Sequence, residues 1–468
     1  MTNPTVIQEN YLEEPAGPAV PRRDELNTTS PTIALLPFGN VIEHFLDTLG
    51  LSLESFGREF TGSWMFGYVD ALRRAGVRTV LICVSARVRK PTKFTHGPSG
   101  ATIYIMPALR SYRVLQGRMK KPSGPYGRDV RQAFGEARGS RRLYRPLLAV
   151  LNETVLYLTT PVGTLSRILQ QENCSAILCQ EYEYPRFDVS VLLGRLLSLP
   201  VFATFQGGDY QRKRLERYSR PLAMRFCSGL IIPSEPEAAR VRSKYQVPSG
   251  KIAPIFNPVD PMVWSPVDRD TARAKLGIPS GAGVAIWHGR VSVHSKGLDI
   301  LLDAWRRTCA RRPQQDLRLF LIGTGNDAEK LALAVSELGL SNIVWIRQFI
   351  SDRQLLREYL AAADVYVFPS RHEGFPVAPL EAMACGLPLV AADASGIAET
   401  LPELEQSGGL IVPRENPEAL ALALGRFLDD PSWSREVGRL ARRRIVSAFA
   451  PEVVGRQLRA FFWPGGSA

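Results

Sequence analysis

The sequence predicts an α/β protein of two Rossmann-like domains facing each other across a cleft. Three observations carry this expectation. The 468 residues exceed what one hydrophobic core usually sustains, so two domains of about 200 residues each are expected. From residue 31 onward, short β-branched runs alternate with helical patterns, the signal for parallel strands joined by crossover helices. Around IFNPVDPMVWSP (255–266), Pro254, Pro258, Pro261 and Pro266 interrupt both periodicities, and a second alternating series then starts afresh.

Residues 1–30 have neither a basic start nor an apolar run and read as a disordered leader rather than a signal peptide. TIALLPF is the first strand, FTGSWMFGYVDALRRAG a helix closed by Gly76, and RTVLICVS the next strand. SAILCQ, VFATFQ and GLIIPS follow as buried strands, each ending where polar or glycine residues begin, which places the N-terminal domain at 31–257. GVAIWHGR, LRLFLIGTG, NIVWIRQF, DVYVFPS, PLVAAD and GGLIVP repeat the pattern and place the C-terminal domain at 265–445. The one literal Asp-x-Asp, Asp268-Arg-Asp270, opens DRDTARAKLGIP and reads as a helix N-cap, so no metal site is expected.

Composition is that of an ordinary globular protein, 45% apolar and 22% charged. The six cysteines show no C-x-x-C pair and no metal-ligand spacing, and read as incidental thiols of a reducing compartment. No stretch reaches the ~18 uninterrupted apolar residues of a spanning helix, so a cytoplasmic location is expected, peripheral at the inner face of the membrane. That refinement rests on charge. Between residues 87 and 145, fifteen Lys and Arg stand against Asp129 and Glu136, an excess equal to the net charge of +13 of the whole chain. With Tyr112, Phe134 and Tyr144 interleaved, this basic segment suits an anionic membrane surface or an anionic acceptor; a solvated insertion without a partner is the alternative. Nucleic acid is not expected, because no helix-turn-helix, zinc-finger or RNP-like signature is present.

Ligands of such sheets sit at the carboxyl ends of the strands. DVYVFPS runs straight into Arg371, His372 and Glu373, so Glu373 belongs on the loop above the second sheet. Gly374 lets a ligand approach the backbone, Pro376 fixes the chain entering a helix, and the amides near Val377 and Ala378 open that helix as donors for sugar or phosphate oxygens. Glu373 and Glu381 would repel a bare phosphate. Both would instead accept hydrogen bonds from sugar or ribose hydroxyls. Cations for intervening phosphates are offered by Arg290 and Lys296, which follow GVAIW and precede a helix; alone, they would also read as surface charge.

GRVSVHSKGLD, LIGTG, PSRHEGFPVAPLEAMACGLPLVAADASGIAE and GGLIVPRENPEALA resemble the C-terminal half of the family-four retaining glycosyltransferases, which have the GT-B fold. The resemblance covers residues 225–445 well and 31–224 in outline, and its specific element is the E-x7-E of Glu373 and Glu381. It implies a nucleotide diphosphate sugar as co-substrate in the C-terminal domain, no separate cofactor and no metal. It also implies a closing helix within 446–468 that crosses back to the N-terminal domain. By that resemblance Arg290 and Lys296, after Gly289, neutralise the departing diphosphate. Glu373 and the amides of Gly374, Phe375 and Val377, with Ala378 beside them, orient the donor sugar, and Glu381 takes the ribose hydroxyls. Gly323, Thr324, Phe349 and Ile350 line the nucleotide. Gly62 matches the family's first-loop glycine or is an ordinary helix-start glycine.

The implied reaction is front-face transfer of a hexose, with retention, to a hydroxyl acceptor. A lipid-linked acceptor and a place in polysaccharide or glycoconjugate biosynthesis are the finer expectations. Departures stand beside this. Gln206 occupies the position where many relatives carry a histidine, Asn257-Pro-Val-Asp260 replaces the usual Asn-Gly-Val-Asp, and Gln348 stands for a glycine. Glu181 and Glu183 follow a strand end, as acceptor contacts or as a polar loop. A nucleotide-sugar epimerase or phosphorylase of the same architecture, and a catalytically silent nucleotide-sugar-binding scaffold, are the rival readings.

Overall fold

The computed structural model describes residues 30–39, 42–46, 52–58, 60, 62–110, 113, 157, 159–207 and 215–465. Most of the basic segment and the leader lie outside these residues.

The N-terminal sheet runs β3 (Thr92–Thr95), β4 (Thr102–Pro107), β2 (Arg78–Ser85), β1 (Thr32–Leu36), β5 (Ala176–Gln180), β6 (Val201–Thr204), β7 (Gly229–Ile231), β8 (Ile252–Ala253). All pairs are parallel except β3 with β4. All five residues of β1 are buried, because helices cover both faces, and this is why the strand reads as an unbroken apolar run. Strands β3 and β4 fall inside the basic segment, where the sequence suggests no strand. TKFT is polar and mostly exposed, as an edge strand tolerates, and its Lys93 pairs with buried Glu172 at 2.7 Å. Part of the positive charge is therefore used internally.

The C-terminal sheet is all parallel in the order β11 (Ile343–Ile346), β10 (Leu317–Ile322), β9 (Gly283–His288), β12 (Val365–Phe368), β13 (Leu389–Ala392), β14 (Gly409–Val412). In chain order within the domain this is 3-2-1-4-5-6, the doubly wound order whose direction reverses between β9 and β12. A crevice at the carboxyl ends of those two strands follows from the topology.

The helix Pro431–Ala448 stays on the C-terminal domain, where a Cβ on Gly438 would lie 2.0 Å from the Gly386 carbonyl oxygen. After Phe449, Pro451 starts a new helix, Pro451–Phe462, that crosses to the N-terminal domain. Val454, Leu458 and Phe462 enter that domain's core, Phe462 lies 4.7 Å from Phe202 between ring centroids, and Gly455 lets the helix touch Ala71. The linker is clasped at the same place: Val259 donates to the Phe449 carbonyl at 2.9 Å and Phe256 stacks on Phe449 and Phe375. Among the described residues no helix is long and apolar enough to cross a membrane, and all six cysteines are unpaired.

Candidate active site

The loops after β9, β10 and β12 meet at the C-terminal switch point. Gly289 and Gly323 have φ of +150° and +136°, and a Cβ on Gly323 would lie 1.9 Å from the Gly289 carbonyl oxygen. Only glycine allows these two loops to nest. Val291 donates to the Thr324 carbonyl at 3.0 Å, which fixes Arg290 between them, while Thr324 itself is exposed. Gly297, at φ +63° with its Cβ direction blocked by the Pro369 carbonyl, holds the Lys296 loop to the end of β12. Lys296 Nζ then donates to Glu373 Oε1 at 2.6 Å. The cation and the first glutamate of the E-x7-E element are thus brought together.

Glu381 lies on the helix Ala378–Ala384 and is buried; its Oε2 is 3.2 Å from His288 Nε2 at the end of β9. Tyr366, fully buried on β12, donates to the His288 carbonyl at 3.1 Å and sits edge-on to its ring, so the second glutamate rests on a braced histidine. Val377 caps this helix, with Phe375 buried just before it. Ile350 packs on the domain core, whereas Phe349 is 52% exposed at the outer edge.

Arg371 is the residue whose task the sequence reading passes over. Its backbone donates to the Ser295 carbonyl at 3.0 Å and its guanidinium makes a two-pronged contact with Asp299 at 2.8 Å on each arm. It locks the Lys296 loop to the Glu373 loop. Asp299 is the aspartate of SKGLD, and the pairing of that motif with an arginine after β12 is the signal that was available.

From the N-terminal domain, the loop after β6 reaches the same point. A Cβ on Gly374 would lie 2.2 Å from the Gly207 nitrogen and 2.4 Å from the Gln206 carbonyl carbon, so the Gln206–Gly207 peptide lies directly on Gly374. The Gln206 side chain points elsewhere: its Nε2 donates to Asn257 Oδ1 at 3.2 Å and to Thr204 Oγ1 at 3.1 Å, and its Oε1 accepts from Asn257. Asn257 also accepts from Tyr68 at 3.1 Å and donates to the Phe375 carbonyl at 3.3 Å, tying the linker to both domains. Gly62 caps the helix Ser63–Arg74 that carries Tyr68.

Glu181 and Glu183 are not surface acceptor contacts. Glu183 has a fully buried side chain paired with Arg240 at 2.7 Å, and burial pushes its carboxyl above the usual range. Glu181, 3% exposed, accepts from the Gln206 amide at 3.0 Å with one oxygen and from the Glu183 amide at 2.9 Å with the other. Its own φ of +111° is unusual for a residue with a side chain. A strained, buried carboxylate therefore sets the peptide that faces Gly374. Asp268 behaves as an N-cap, its Oδ1 accepting from the Thr271 amide at 2.9 Å.

Two facing doubly wound domains thus meet at a lysine–glutamate pair and glycine-nested loops at the second switch point. The comparisons with known proteins give the family. The pattern described as "Glycosyltransferase Family 4" matches residues 63–262, and that described as "Glycosyl transferases group 1" matches residues 268–444. The chain belongs to the family-four glycosyltransferases. Among curated proteins, D-inositol 3-phosphate glycosyltransferase of Nocardiopsis dassonvillei is 30% identical over 246 residues, 51% of this chain and 56% of that protein. The enzyme of the same name from Corynebacterium urealyticum is 32% identical over 257 residues, 53% of this chain and 58% of that protein. The matches thus span about half the length of these relatives.

Solved structures show the same fold over nearly the full chain. Sucrose-phosphate synthase from Thermosynechococcus elongatus aligns with a TM-score of 0.64 at 20% identity, covering 92% of this chain and 98% of that one. Anabaena HepE in complex with UDP aligns with a TM-score of 0.62 at 16% identity, with the same coverage. The GT-B fold expected from the sequence, with its C-terminal helix, is the fold observed.

Proposed function

We propose that the chain transfers a hexose from a nucleotide diphosphate sugar to a hydroxyl acceptor, with retention and without a metal. The observation that carries this reading is the contact of the Gln206–Gly207 peptide with Gly374, beside the Lys296–Glu373 pair. A donor sugar held by Glu373 would then lie between one domain's cations and the other domain's peptide carbonyl. The acceptor oxygen bonds to the anomeric carbon, the bond from that carbon to the β-phosphate oxygen breaks, and that phosphate oxygen takes the acceptor's proton. Arg290 and Lys296 stabilise the charge that develops on the leaving diphosphate, a contribution of several kcal/mol in comparable preorganised sites. The Gln206 carbonyl faces the positive charge developing on the sugar, so replacement of the family's histidine side chain leaves this role intact.

Glu381 accepts from the ribose hydroxyls, while His288 holds the carboxylate. The acceptor enters on the N-terminal side. A polyol phosphate, after the names of the curated relatives, or a lipid-linked hydroxyl fits that reading, and the basic segment supports work at an anionic membrane surface. Incubation with UDP-, GDP- and ADP-glucose and a panel of polyol acceptors, read by proton NMR at the new anomeric centre, tests the proposal. The expected product keeps the donor's anomeric configuration and forms equally well in EDTA. An inverted product, or loss of turnover in EDTA, contradicts it.

A further inference from the structure

Five of the thirteen exposed large hydrophobic side chains among the described residues lie on one helix pair of the N-terminal domain. The helix Pro185–Leu197 exposes Leu192 and Leu196 at 64% and 74%, four residues apart and so on one stripe. The helix Glu216–Phe226 exposes Tyr218, Leu222 and Phe226 at 78%, 57% and 44%, again at four-residue steps. The two helices follow adjacent parallel strands and are joined below the surface by Arg220 and Asp188, so the stripes run side by side. Arg195 lies 4.6 Å over the Phe226 ring and closes the gap between them. Scattered exposed hydrophobics need no explanation, but a contiguous band of this kind marks an interaction surface.

Charge selects the occupant. Arg195, Arg217 and Arg225 are exposed along the band, whereas the acidic residues of the two helices, Asp188 and Glu216, are buried at 8% and 3%. No carboxylate of these helices offsets the arginines at the surface. A second copy of the chain would set arginine against arginine, so self-association through this face is disfavoured. An apolar band fringed by arginine fits the headgroup region of an anionic bilayer, where leucine and aromatic groups enter and guanidinium groups meet lipid phosphate.

We propose that this helix-pair face docks the N-terminal domain on an anionic lipid surface. It gives the membrane association suggested by the basic segment a built surface within the folded domain. The inference does not rest on donor or acceptor chemistry, because vesicle binding is read without turnover.

The test is flotation of the full chain with phosphatidylcholine vesicles and with phosphatidylcholine vesicles containing phosphatidylglycerol. Wild type is compared with Leu192→Ser/Leu196→Ser/Leu222→Ser, with Arg195→Gln/Arg217→Gln/Arg225→Gln, and with Lys and Arg changed to Gln between residues 118 and 145. Wild type is expected to float with the anionic vesicles at least about tenfold better than with the neutral ones. Each helix-pair variant is expected to lose about tenfold in partitioning, with melting temperature and nucleotide binding unchanged. Failure of wild type to bind either vesicle overturns the proposal, as does undiminished binding by the leucine variant. Loss confined to the 118–145 variant also overturns it. So does a wild-type dimer in sedimentation that the leucine variant converts to monomer.

Discussion

The two walls of the cleft reach one point by different means. On the C-terminal wall, charged side chains are paired on glycine-nested loops and the helices they open: Lys296 on Glu373, Glu381 on His288, Arg371 across Asp299. On the N-terminal wall, a bare peptide between Gln206 and Gly207 is presented by groups behind it, with Glu181 holding the amide and Asn257 the side chain. The C-terminal wall is therefore specified by residue chemistry, whereas the opposite wall is specified by backbone placement. A substitution in the first should remove charge stabilisation; a substitution in the second should misplace a group that remains present.

The largest expected effect separates the walls directly. On the proposed reaction, Lys296→Ala should lower turnover by about 10²- to 10³-fold, the scale of losing one preorganised charge-stabilising group; steady-state kinetics with the best donor checks this. Gly374→Ala changes no charge but drives a methyl group into the Gln206–Gly207 peptide. Turnover should fall by about 100-fold through misplacement alone, with nucleotide binding measured by calorimetry within a fewfold of wild type. Equal damage to binding and turnover would show that Gly374 acts through nucleotide binding and not through placement of the opposite peptide.

Glu181→Ala strips two amides of their acceptor, at about 1–3 kcal/mol each where they are buried, and turnover should fall about tenfold with donor affinity unchanged. Glu181→Gln keeps one carbonyl acceptor and should restore part of both stability and rate, which denaturant unfolding and kinetics would show side by side. The smallest effect lies away from the cleft. Burial pushes the Glu172 carboxyl up, but hydrogen bonds from Lys93, Tyr104 and Arg78 outweigh it and hold the group at about 2. Its folded value is thus below its unfolded one. The stabilisation is complete above about pH 4.5 and is lost as pH falls toward 2. Glu172→Gln should cost about 1–2 kcal/mol at neutral pH after solvent screening, and unfolding curves of the two proteins should converge as pH falls through that window.

Much of the C-terminal wall's layout was legible in the sequence because strand ends and the loops after them can be read from local pattern. A strand that ends in SRHEGF announces its own loop. All eleven expected strands form, whereas β3, β4 and β8 went unread: TKFT is a polar edge, TIYIMP is embedded in charged surroundings, and β8 has only two residues. The N-terminal wall was less legible for a physical reason. Gln180 of β5 pairs with Thr204 of β6, and this register alone carries Glu181 to the Gln206 amide. Twenty-five residues separate the partners, so local pattern could suggest only a strand-end acid and offered acceptor contact as its task. Likewise, the side chain of Gln206 drew notice as a substitution, while its pairing with Asn257 of the linker depends on the whole N-terminal domain being folded.

Calorimetric titration of UDP-, GDP- and ADP-glucose into wild type, Glu381→Ala and Gly374→Ala asks whether a nucleotide diphosphate sugar rests against Glu381. The predicted result is that one nucleotide sugar binds wild type and Gly374→Ala alike, while Glu381→Ala weakens it by about 1–3 kcal/mol. Absence of binding by all three donors, or equal binding by Glu381→Ala, would contradict the assignment and leave a folded scaffold without the proposed chemistry.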